Sequence, residues 1–93
     1  MADRDPVVAV VKRNLRLARG RLHLTQREAA VISGVSLSVI EKYESADNPR
    51  IPNTRQLFRL AEAYSVSVDF LLGRTGMIDL PRSKPRSPAT SSG

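Results

Sequence analysis

The chain has 93 residues, a formal net charge of +6, four aromatic residues, one histidine and no cysteine. That length suits one domain with a single modest core, packed mainly by aliphatic side chains. Lack of cysteine excludes disulfides and thiolate metal sites, no apolar run is long enough to span a bilayer, and nothing at the start reads as a signal peptide.

Residues 1–5 are expected to be disordered. Asp5-Pro6 then opens the first helix, with Asp5 as N-cap and proline at the first helical position. Val8, Val11, Leu15, Ala18 and Leu22 recur at steps of three, four, three and four, which traces one helical face. The β-branched run Val7, Val8, Val10 and Val11 would suit a strand, but the longer period favours a helix. The opposite face is expected to carry Lys12, Arg13, Arg16 and Arg21. Gly20 is expected to loosen the helix near its end. His23 follows in a connection, and with no second histidine to share a metal it reads as a solvated loop residue.

Thr25 and Glu28 have the spacing of a capping box, so a second helix should run from Gln26 to about Ser33. Gly34 supplies the positive φ that ends it. Ser36 is a second N-cap, opening a helix from Leu37 to about Ser45. Two helices so short and so close must cross steeply, with Ala30 as the small residue at their approach. Ala29, Val35, Ile40 and Tyr43 would form the shared apolar side. Leu37, Ser38, Glu41 and Lys42 then point outward, the face a recognition helix offers to a major groove. Of Val31 and Ile32 only one can face the core; the other forms an exposed patch or lines a partner contact.

Residues 45–53, with two prolines and Asp47-Asn48, form a loop. Thr54 should cap a fourth helix from Arg55 to about Tyr64, apolar along Leu57, Phe58, Leu60, Ala61 and Tyr64. Ser67 should cap a short fifth helix, Val68 to Leu72, closed by Gly73. Nothing suggests strands, so residues 6–73 are expected to form an all-α, five-helix domain. Residues 74–93 are basic and rich in proline and serine, and should form a flexible tail. Within the tail, Met77, Ile78 and Leu80 are an apolar cluster able to dock on the domain or on a second protomer. Residues 1–73 hold eleven basic and eight acidic groups and residues 74–93 hold four and one, so each segment carries +3. Half of the excess charge thus lies in the tail, and motif outweighs charge as an argument for a nucleic-acid partner.

The pattern Leu24-Thr25-Gln26, Glu28-Ala29-Ala30, Gly34-Val35-Ser36, Ile40 and Glu44 resembles the Cro/XRE-type helix-turn-helix repressor family. The similarity extends upstream to Arg19 and downstream through Pro52, Leu57, Ala61 and residues 66–73, covering about residues 8 to 73. It implies a lambda-repressor-like DNA-binding domain, double-stranded DNA as partner, and a homodimer, at least on DNA, paired around Val66 to Leu72. It also implies a partly buried ion pair between Arg19 and Glu44. Gln26, at the first position of its helix, would hold a phosphate oxygen and brace the recognition helix. Family members usually have glycine where Ala46 stands, a stretch to Pro52 one or two residues shorter, and often glutamine at the positions of Leu37 and Ser38.

The DNA-binding candidates are therefore Gln26, Arg27, Ser36, Leu37, Ser38, Glu41, Lys42, Asn48, Arg50 and Asn53. Lys42 can donate to guanine O6 and N7, Ser38 can donate or accept, and Leu37 suits a thymine methyl. Glu41 can accept from cytosine N4 or brace Lys42 and nearby arginines. Arg13 and Arg16 are further candidates for the DNA backbone. With two bidentate readers missing, phosphate contacts and DNA shape should carry a larger share of specificity. The expected function is a sequence-specific transcriptional regulator, a repressor, in the cytoplasm on the nucleoid. The alternative is a protein-interaction module, such as an antitoxin or adaptor, using Leu37, Val31, Ile32 and the tail cluster. An enzyme is disfavoured, since there is one histidine, no phosphate-cradling glycine loop and no paired carboxylates. No cofactor, metal or membrane is expected.

Overall fold

The computed structural model describes residues 6–76 and Ile78. Five helices follow in order: α1 (Pro6–Arg21), α2 (Gln26–Ser33), α3 (Leu37–Glu44), α4 (Thr54–Tyr64) and α5 (Val68–Leu71). No strand occurs among the described residues. Asp5, the expected cap of α1, lies outside them, as do Met77 and residues 79–93, Leu80 among them.

Local chemistry starts and stops these helices. The Thr25 hydroxyl accepts from the Glu28 N–H while the Glu28 carboxylate accepts from the Thr25 N–H, so the capping box closes in both directions. Gly34 ends α2 at φ 75, in the left-handed region where a Cβ is costly. Ser36 caps α3 and Ser67 caps α5, each through its hydroxyl. Helix α3 stops at Glu44, one residue earlier than expected, because Ser45 is already extended at φ −80 and ψ 125. Helix α5 likewise stops at Leu71, with Leu72 as its C-cap and Gly73 at φ 79 just beyond.

The cap of α4 differs from expectation. Asn53, not Thr54, is the N-cap: it is extended, and its Oδ1 accepts the Gln56 N–H at 2.9 Å. Thr54 is the first helical residue. Asparagine is the stronger capping residue, and at φ −73 and ψ 177 it has the extended backbone a cap requires.

One core joins all five helices. Val11, Leu15 and Ala18 of α1 meet Ala29, Val35, Ile40 and Tyr43 on one side, and Leu57, Leu60, Ala61, Tyr64, Phe70 and Leu71 on the other. Tyr64, 1% exposed, is the largest fully buried side chain. Helix α2 packs on α3 and α4, α1 packs on α3 and α5, and α4 packs on α5. Asn14 fastens α5 to α1, its Nδ2 donating to the Phe70 carbonyl at 2.7 Å. At the rim, Ile78 packs against the core, and Leu22 is exposed beyond the end of α1.

The expectations for Phe58 and for the pair Val31 and Ile32, one of which was to face the core, change. Phe58 is 57% exposed. The inward stripe of α4 is Leu57, Leu60, Ala61 and Tyr64, at i, i+3, i+4 and i+7, and Phe58 lies a third of a turn off it. Val31 and Ile32 are 78% and 52% exposed, so neither is a core residue. Helix α2 turns Ala29 and Ser33, four apart, inward, which sets Val31 opposite and Ile32 on the flank.

Candidate nucleic-acid interface

Helix α3 is amphipathic in the sense the reading of DNA requires. Ile40 and Tyr43 are buried, Leu37 and Val39 are half-buried, and Ser36, Ser38, Glu41 and Lys42 are exposed. The outward set contains a cation, a carboxylate and hydroxyls on a rod of eight residues. A major groove admits such a rod and presents matching donors and acceptors.

What holds the rod is a set of charged and polar contacts behind it. The Arg19 guanidinium donates from Nε to Glu44 Oε2 and from Nη2 to Glu44 Oε1, both at 2.8 Å. Glu44 is 6% exposed, so the pair is largely out of water. These hydrogen bonds with Glu44 are the main reason the guanidinium is held above its usual pKa. Gln26 Nε2 donates to the same Oε1 at 3.1 Å. Thus the carboxylate at the end of α3 is shared by α1 and the start of α2. Arg19 also donates from Nη1 to the Leu24 carbonyl at 2.7 Å, tying down the connection between α1 and α2. On the α4 side, the Tyr43 hydroxyl donates to Gln56 Oε1.

Lys12 departs most from its sequence reading. It is not on a solvated face but 3% exposed, and its ammonium points at the end of α3. Nζ donates to the carbonyls of Lys42 at 2.9 Å, Tyr43 at 3.2 Å and Arg50 at 2.7 Å. Burial, then the nearby Arg16 charge, pushes its pKa below the ordinary lysine value. Arg16 donates from Nη1 to the Glu44 carbonyl at 3.0 Å. Both residues supply donors to carbonyls in the last turn of α3, where the helical ladder runs out and only the Lys42 carbonyl has a backbone partner, the Ser45 N–H at 3.3 Å. The spacing of Lys12, Arg16 and Arg19 at i, i+4 and i+7 was a readable signal, since it puts three cations on one face of α1. Arg21 plays the same part at the end of α4, donating from Nη2 to the Tyr64 carbonyl at 2.9 Å.

The remaining candidates divide by what their atoms already do. Arg27, beside Gln26 at the start of α2, is exposed, as is Arg50. Asn48 Oδ1 accepts the Arg50 N–H at 2.8 Å, and Asn53 Oδ1 caps α4. A phosphate contact from either would have to use its amide N–H groups. Arg13 is exposed, with its Nε on Asn14 Oδ1. Around α5, Val66, Phe70 and Leu71 are buried and only Asp69 is fully exposed; Val68 and Leu72 are half-buried. Most apolar area of the expected pairing segment is therefore already used inside the fold.

Among the described residues there is no group of histidine, aspartate and glutamate that could hold a metal. No helix among them is long and apolar enough to cross a membrane.

Comparison with known proteins agrees with this geometry. Residues 15–71 match a helix-turn-helix family. Over 64 residues the chain is 34% identical to the cryptic phage CTXphi transcriptional repressor RstR of Vibrio cholerae serotype O1 (strain ATCC 39315 / El Tor Inaba N16961). The aligned stretch is 69% of this chain and 55% of the relative, so the chain spans about half the length of that protein. No solved structure matches significantly. The match runs from the middle of α1 through α5 and contains Arg19, Gln26, Gly34 and Glu44, so the chain belongs to the Cro/XRE-type helix-turn-helix family.

Proposed function

We propose that this protein is a sequence-specific DNA-binding transcriptional regulator, acting as a repressor, that reads the major groove with α3. The observation that carries this reading is the arrangement of α3 itself. Its outer side chains Ser38, Glu41 and Lys42 are exposed, while its far end is pinned from behind by Arg19, Gln26 and Lys12. A reader held that firmly has little freedom left to lose on binding. The similarity to a phage transcriptional repressor supports the same reading. Lys42 and Ser38 contact base edges, with Leu37 against a thymine methyl. Arg27, Arg50 and the N-terminal end of α2 contact phosphates. The protein works in the cytoplasm, on the nucleoid.

One copy making a few phosphate contacts would bind weakly, which favours a two-fold pair on DNA. The pairing surface is the outer edge of α5, where Val68 and Leu72 retain some exposure four residues apart. Recognition helices of such a pair sit about one DNA turn, ~34 Å, apart. Selection of bound duplexes from a random pool tests this. Enriched inverted half-sites with that centre spacing are expected; failure to enrich any sequence overturns the proposal.

A second reading, a protein-interaction module such as an antitoxin or adaptor, draws on the exposure of Val31, Ile32 and Phe58. Large exposed apolar side chains are costly unless something covers them. A stoichiometric protein partner retained through purification, together with no DNA enrichment, would favour it.

A further inference from the structure

Lys42 and Arg50 are the two exposed basic candidates on α3 and in the following loop, and their backbones meet at one atom. Lys12 Nζ donates to the Lys42 carbonyl at 2.9 Å and to the Arg50 carbonyl at 2.7 Å, with the Tyr43 carbonyl at 3.2 Å completing the set. An ammonium has three N–H donors and no acceptor, so all three donors are engaged. Two of the acceptors belong to the last turn of α3, where carbonyls lack intrahelical partners and the helix dipole is negative. The third belongs to a loop with no regular secondary structure to fix it. Arg16, one turn further along α1, adds the Glu44 carbonyl at 3.0 Å. At 3% exposure, Lys12 has no route to a phosphate.

We propose that Lys12 is a positioning residue for DNA reading: from inside the domain it seats the end of the recognition helix and sets the path of the loop carrying Arg50. The proposal rests on the DNA-binding reading of α3 but makes a separate claim about the fold. It distinguishes Lys12 from every other basic residue considered for the interface. Lys42 reaches base edges and Arg27 and Arg50 reach phosphates with their own side chains; Lys12 acts through the backbone of Lys42 and Arg50. A hydrophobic replacement at a merely buried lysine would be neutral or even stabilising. Here it would leave the Tyr43 and Arg50 carbonyls without their donor, leave the Lys42 carbonyl only the Ser45 N–H, and release the loop from the helix.

The test compares the full chain with Lys12→Met, which keeps the length of the stem and removes the charge. Amide hydrogen exchange is measured first and needs no DNA. Exchange at residues 45–53 should accelerate about tenfold while the amides of α4 keep their rates; unchanged exchange in the loop overturns the proposal. Binding to a duplex recovered from a random pool by the wild-type chain is measured next, across a range of salt. Affinity should fall about tenfold with no change in the slope of log K against log salt, because that slope counts neutralised phosphates. A slope smaller by about one would mean that Lys12 contacts a phosphate, and an unchanged affinity would mean that its seat has no bearing on reading; either overturns the proposal. If Lys12→Met does not fold, Lys12→Gln replaces it with the same expected readouts. Failure of the wild-type chain to recover any duplex would instead overturn the DNA-binding reading, and the exchange measurement alone would then decide whether Lys12 seats the helix and loop.

Discussion

Arg19 grips Glu44 with two parallel hydrogen bonds of 2.8 Å, joining the first helix to the last residue of α3. The carboxylate is nearly inaccessible to water, so its hydrogen bonds come from the protein. Arg19→Ala leaves that charge buried with only Gln26 as a side-chain donor, and should cost about 3–5 kcal/mol in urea unfolding. Arg19→Lys should not restore stability fully, because an ammonium cannot form the planar double contact. Wild-type stability in Arg19→Ala would show that the pair contributes nothing, and in Arg19→Lys that the planar double contact is not needed.

The identity of the α4 cap is open to direct comparison. Asn53→Ala removes the acceptor of the Gln56 N–H and should destabilise the domain by about 1 kcal/mol. Thr54→Ala, at the first helical position, should change stability by less than about 0.5 kcal/mol. The reverse order in thermal melts would return the cap to Thr54.

Ser65 ends α4 in the left-handed region, at φ 58 and ψ 43. An L-residue there carries a penalty of about 1 kcal/mol that glycine avoids. Ser65→Gly should therefore raise the melting temperature by about 4–8 °C for a domain of this size. Gly34→Ala should do the opposite. Its added Cβ would meet only Arg59 Nη1 at 3.9 Å, so the loss would come from the backbone at φ 75 and not from a clash.

Tyr64 supplies a pH test. Burial, with a smaller push from the Glu44 charge, raises its phenol from 10.0 to about 12. The folded state therefore keeps the proton after the unfolded chain has lost it. The stabilising contribution is complete below pH 10 and is lost as pH rises from there through about 12. Melting temperature should fall over that window, and Tyr64→Phe should flatten the part of the fall due to this group. An identical alkaline profile in the variant would contradict the assignment.

Legibility in the sequence followed the range of the interaction. Thr25 with Glu28, Ser36, Gly34 and Ser67 act within a turn or so of themselves, and the helices begin and end where those residues direct. Asn53 against Thr54 is a contest between adjacent capable caps, and the stronger capping residue, asparagine, takes the position. Phe58 is exposed, and so are both Val31 and Ile32 where one was expected inside, because the buried stripe on each helix is narrower than hydrophobicity alone implies. Lys12 was lost for a different reason. Its acceptors lie 30, 31 and 38 residues away and are backbone carbonyls, which carry no side-chain signature. At the candidate interface, the pattern picked out the outward residues of α3, but not that the oxygens of Asn48 and Asn53 are engaged in shaping the loop and the next helix.

The most direct measurement is equilibrium binding of a selected duplex at several salt concentrations, for the wild-type chain and Lys42→Ala. Wild-type log K should fall linearly with log salt, as phosphate neutralisation requires. Lys42→Ala should weaken binding by about 1–3 kcal/mol and relax the preference at one base pair. Affinity indifferent to salt, together with an unaffected Lys42→Ala, would contradict a DNA-reading role for α3.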